Sequence, residues 1–185
     1  MSPFKPSESE AILLGKISEE LQSEYESDDS AWIGSPFAWI KARPSRQKGA
    51  IGERLVQNWC ESKGFKVART GDSDADRSIR GRRVEIKFST LWKDNGIYKF
   101  QQIRDQDYEY CFCLGISPFE AHAWFIPKKE LLKLSDERPE LAYQHGGKKG
   151  TDTRWLSFEA AKPPAWLKPF GGTLTKVETL IRNLK

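Results

Sequence analysis

In the stretch Arg83-Val-Glu-Ile-Lys-Phe-Ser, strand alternation sets Val84, Ile86 and Phe88 on one face and Glu85 and Lys87 on the other. The apolar face is ordinary core. The second face carries a carboxylate beside an ammonium. Upstream, Asp76 opens a second extended run, Asp76-Arg-Ser-Ile-Arg, and Gly81 supplies the turn between the two. Eight residues separate Asp76 from Glu85, which lets the two carboxylates face each other across a hairpin. Two such carboxylates repel each other and attract a hard divalent cation, and Mg²⁺ takes these oxygen ligands together with waters. A cation held there would polarise a phosphate and acidify a water. Lysine would orient that water and offset charge building at phosphorus. The chemistry these types and spacings suit is phosphodiester hydrolysis.

A second Glu-x-Lys, Glu61-Ser-Lys63, ends a helix and has no upstream strand aspartate, so it reads as solvated surface. Glu53 is harder to place. It borders the apolar face of a helix over residues 49–63, where Ile51, Leu55, Val56, Trp59 and Cys60 form the stripe, Gly52 permits close packing and Gly64 caps the end. It is either a first-turn glutamate favoured by the helix dipole or a third carboxylate aimed at the site.

The elements around these residues read in order along the chain. Residues 8–26 form an acidic amphipathic helix, and 30–48 a short helix and a loop. After the 49–63 helix come strands at Phe65–Arg69, Asp76–Arg80 and Arg83–Ser89. A short helix over 99–107 follows, then strands at Tyr108–Ile116 and Ala121–Ile126, the latter closed by Pro127. A helix begins at Pro127, a short strand covers 155–158, and a last helix runs from Thr173 to Leu184. Strands and helices intermixed about one sheet make an α/β domain. Residues 1–48 read as a helical extension and 49–185 as the main domain, elaborated from about 128.

Composition narrows the function. Seven Trp and ten Phe in 185 residues indicate a folded chain. Two histidines disfavour histidine-based nucleases and zinc hydrolases, and Cys60, Cys111 and Cys113 form no C-x-x-C pair, so buried thiols are expected. No apolar run approaches the roughly 20 residues that span a bilayer, and no signal peptide is evident, so no membrane partner and a cytoplasmic location are expected. The net charge of +4 is mild, but basic residues gather at 41–48, 77–83 and 148–149, which suits a polyanion.

The helix Gly49-Ala-Ile-Gly-Glu53-Arg-Leu, then Asp76, then Glu85-Ile-Lys87, then helix and strand, resembles the PD-(D/E)xK, or restriction-endonuclease-like, nuclease superfamily over about residues 49–127. That resemblance implies an αβββαβ core with a central mixed sheet flanked by helices. It also implies dependence on Mg²⁺, with Mn²⁺ as a substitute, and products bearing 5′-phosphates. Asp76, Glu85 and Glu53 would hold the metal and Lys87 would complete the catalytic set. The proline expected before the first aspartate is Ala75, which leaves Asp74 as a rival to Asp76. Gln101, Gln102 and Arg104 could lie near the phosphate, and Lys148 and Lys149 could touch DNA backbone. The expected function is a type II restriction endonuclease cutting double-stranded DNA as a homodimer. A structure-selective nuclease of Holliday-junction or repair type is the alternative, and an inactive DNA-binding module of the same fold is a third.

Overall fold

The computed structural model describes residues 9–92, 96–133, 140–144 and 153–184. Two sheets pack face to face, and helices cover the outer face of the larger one. The larger sheet has the strand order β1 (Val67–Arg69), β2 (Arg77–Ile79), β3 (Arg82–Thr90), β5 (Tyr110–Ile116), β6 (Ala121–Pro127). Only the β3–β5 pair is parallel, so the sheet is mixed. The smaller sheet is antiparallel, with β4 (Ile97–Ile103), β8 (Arg154–Glu159) and β7 (Leu141–Tyr143) side by side.

Alternation on β5 divides the interior. Phe112, Leu114 and Ile116 join one core with Val56 and Cys60 of helix α3 (Ser45–Ser62) and Val177 and Ile181 of the last helix, α5 (Leu174–Arg182). Cys111 and Cys113 face the opposite core with Tyr98, Phe100, Leu156 and Phe158 of the smaller sheet. A strand apolar on both faces belongs at the centre of a covered sheet. All three cysteines are buried and free, as expected.

The β2–β3 turn falls where Gly81 required it. Ile79 pairs with Arg82, and Arg80 and Gly81 both take positive φ (51° and 82°), as the two central residues of a type I′ hairpin must. At the N-terminus α1 (Ser9–Ser30) and α2 (Ala38–Lys41) precede α3, and Ile40 of α2 is buried in the α3 core. A short helix α4 (Lys128–Lys133) follows β6, and a 3₁₀ helix (Ala165–Phe170) precedes α5.

Two expectations need correction. Residues 99–107 do not form a helix: 97–103 are β4, an outer strand of the second sheet. Tyr98, Phe100 and Ile103 are buried, and a bulge between Phe100 and Ile103 breaks the two-residue period from which a strand is read. The helix of an αβββαβ order is therefore not found at 99–107. Second, α3 begins at Ser45 rather than 49. Pro44 is tolerated just ahead of a first turn, where a missing N–H is no loss. Glu53 thus sits in the third turn, where a helix-dipole explanation fails. Sheet strand β7 was not anticipated at all.

Candidate active site

The hairpin partner β2 is short, and this creates the site. Beyond Val84, the β2-side edge of β3 has no strand beside it in the sheet. Asp76, one residue before β2, takes over at that edge. Its N–H donates to the Val84 carbonyl (3.1 Å) and its Oδ2 accepts from the Ile86 N–H (2.7 Å). The aspartate is thereby fixed by two backbone bonds beside Glu85.

A cleft of about 770 Å³ runs along this open edge. One wall is the beginning and middle of α3, the floor is residues 85–90 of β3, and the other wall is β4. Two close approaches set its width. A Cβ at Gly52 of α3 would overlap the Cβ and ring of Phe88, and one at Gly115 of β5 would meet the Tyr98 ring at 2.7 Å. The first draws α3 onto β3 and the second draws β4 onto the sheet. Ser89 also accepts a bond from the Lys99 N–H (2.9 Å), tying floor to wall.

Asp76, Glu85, Lys87 and Glu53 all line this cleft. Glu85 is only 7% exposed, and Lys87 Nζ lies 2.6 Å from its Oε1. Burial pushes the Glu85 carboxyl above the usual glutamate range; Lys87 opposes that push and Asp76 adds to it. Glu53 is raised by burial first and then by Asp76, against the attraction of Arg77 and Lys87. Arg77 positions this glutamate: its guanidinium bonds Gln57 Oε1 (2.9 Å) and the Asp76 carbonyl (2.6 Å) and lies 3.4 Å from Glu53 Oε2. One arginine thus ties α3 to the backbone that carries Asp76.

The rival aspartate lies elsewhere. Asp74 does not line the cleft; its carboxylate is 3.4 Å from Gln106 Nε2, and its N–H donates to Asp72. The second Glu-x-Lys is exposed, with Glu61 bonded to Gln57 and Lys63 paired with Glu178. Gln101 and Gln102 line the β4 wall, and the bulge explains how consecutive strand residues both reach it: Gln102 takes a φ of 57°. Arg104 is exposed beyond β4 and does not line the cleft. Lys148 and Lys149 lie outside the described residues. Sequence reasoning did not assign Lys41, Ser45, Arg46, Lys48, Trp92 or Lys99 to the site; the basic cluster at 41–48 was the available signal.

The donors suit a hard cation. They are all carboxylate oxygens, and Asp76 and Glu85 crowd each other with Lys87 beside them. Among the described residues no three Asp, Glu, His or Cys side chains converge into a ready cage. Mg²⁺ asks for less, since one or two carboxylates with waters and a substrate phosphate complete its shell.

No protein-family model matches this chain, and no curated protein matches it significantly. Among solved structures, the bacterial homing endonuclease I-Ssp6803I superposes with a TM-score of 0.48 at 12% identity, over 75% of this chain and 91% of its own. So slight a likeness leaves the activity to be argued from the residues. No helix among the described residues is long and apolar enough to cross a membrane.

Proposed function

We propose that the chain is a metal-dependent DNA endonuclease of the PD-(D/E)xK type. The observation that carries this reading is the meeting of Asp76, Glu85, Lys87 and Glu53 along one open strand edge in a cleft. Asp76 and Glu85 would hold the cation, with Glu53 as a further carboxylate for it or for a water beside it. Bound there, Mg²⁺ or Mn²⁺ supplies a Lewis acid for the phosphate and a more acidic water. The chain's own residues do the rest. Lys87, kept in place by Glu85, orients the attacking water and stabilises charge on the phosphate oxygens. Arg77 keeps Glu53 turned toward Asp76 and limits its protonation.

Within this class a type II restriction enzyme acting on duplex DNA as a homodimer is the preferred form. One site per chain means that two copies are needed to cut both strands. Helix α1 leaves Ile12, Leu13, Leu14, Ile17 and Leu21 exposed, an apolar surface that two-fold pairing would cover. A junction-selective nuclease is the alternative.

Plasmid DNA incubated with the protein and Mg²⁺ tests both levels. Wild type is expected to give discrete fragments, and Lys87→Ala to cut at least about 10²-fold more slowly. Cutting of branched DNA alone selects the junction enzyme. Inactivity of wild type on every DNA and metal tried removes the nuclease reading.

A further inference from the structure

The cleft has a second zone that catalysis does not use. Lys41 of α2 and Ser45, Arg46 and Lys48 of α3 line it beside the carboxylates. Lys48 is half-buried, and among the described residues no carboxylate lies within ion-pair distance of it. The influences on its ammonium are burial and the charge of Lys41, and both push its pKa down. A partly desolvated ammonium beside a second cation gains from an anion brought near it. An anion arriving from outside would supply that charge.

Placement says which anion. Lys48 and Glu53 share α3 and both line the cleft, roughly 7.5 Å apart along the helix axis. An anion on Lys48 therefore lies beside the carboxylate centre and not within it. Between them Gly49 is exposed, with open space where a Cβ would stand, so a chain can pass close to the helix backbone. A free phosphate would occupy one point of this cleft, whereas a nucleic-acid strand presents one phosphate to the carboxylates and the next to the lysine.

We propose that Lys48, flanked by Lys41 and Arg46, is a phosphate-binding wall that grips the strand being cut at a phosphate neighbouring the scissile one. This rests on the nuclease reading above. The contact is to backbone, so it strengthens binding to all sequences alike and selects none.

The test measures binding of a short fluorescent duplex across a salt series in the Lys87→Ala parent with EDTA present, so that slow cutting does not intrude. Adding Lys48→Met should weaken binding and flatten the slope of log K against log salt by about 0.9, the release expected for one lost phosphate contact. Lys48→Arg should restore the slope, which a purely structural role for the lysine stem would not predict. Lys162→Met, an exposed lysine outside the cleft, should leave it unchanged. Thermal melting of each variant shows whether the fold is kept; if Lys48→Met does not fold, Lys48→Gln replaces it. Wild type that cleaves DNA while Lys48→Met retains the parental slope overturns this inference and leaves the nuclease reading intact. Equal flattening by Lys162→Met also overturns it. Wild type that neither cuts nor binds DNA overturns both.

Discussion

Glu85 shows how a residue can be assigned by its environment. Its carboxylate is almost fully enclosed and shares its space with Asp76, so burial and that neighbouring carboxylate both oppose its ionisation. The consequence for stability has a definite sign. A carboxyl raised above its ordinary value of 4.5 holds its proton longer in the folded state than in the unfolded one. Its contribution is then full below about pH 4.5 and is lost as pH rises through the raised value. In EDTA, the melting temperature of wild type should fall with rising pH above 4.5 relative to Glu85→Gln, and the gap between the two curves should widen. Parallel curves would refute the burial argument. Adding Mg²⁺ near neutral pH should lift wild type and leave Glu85→Gln almost unmoved, because binding to the folded state alone stabilises it by mass action.

At the scale of elements, the site depends on where β2 begins and how closely α3 and β3 approach. If β2 continued beside β3, its backbone would occupy the edge at which Asp76 now bonds Ile86. Gly52 fixes the other side. Its missing Cβ is what lets α3 lie against Phe88 and bring Glu53 toward Asp76. Gly52→Ala must push the helix off the strand, because the atoms it meets begin at a Cβ that cannot swing away. Overpacking of this kind destabilises by about 1–3 kcal/mol. Chemical denaturation should read that loss, and nuclease activity should fall further than stability does, since the displacement separates Glu53 from the pair. An alanine variant with unchanged stability would mean that α3 and β3 are free to shift apart.

For the molecule as a whole, the two packed sheets leave the candidate cleft between an α-helical wall and a β wall, with basic residues of α2 and α3 lining it beside the carboxylates. Among the described residues, none of helix α1 belongs to either core. Two-fold association through α1 predicts that light scattering will report a dimer for the chain and a monomer once residues 1–30 are removed. A truncated chain that remains dimeric would move the seam elsewhere. Because the described residues of α1 lie outside both cores, the truncated chain should still fold, with a melting temperature lowered only by what dimerisation contributes and, unlike that of the full chain, independent of protein concentration.

The sequence by itself named the residues on which the proposed chemistry rests. Strand alternation put Glu85 and Lys87 together, Gly81 placed the hairpin turn, and Gly52 announced a close packing contact, because each follows from local backbone geometry. It also held the helix over 49–63 and the strands at 65–69, 76–80, 83–89, 108–116 and 121–126 nearly in place. Non-local contacts decided the rest. Residues 97–103 became a strand through pairing with β8, a partner more than fifty residues away, and no local period encodes such a partner. The choice of Asp76 over Asp74 as the cleft residue came from two bonds to β3 that depend on where β2 begins. Lys48 was visible only as one charge in a basic run; its half-burial, with no carboxylate among the described residues to pair with it, exists only once α2, α3 and β3 have packed around it.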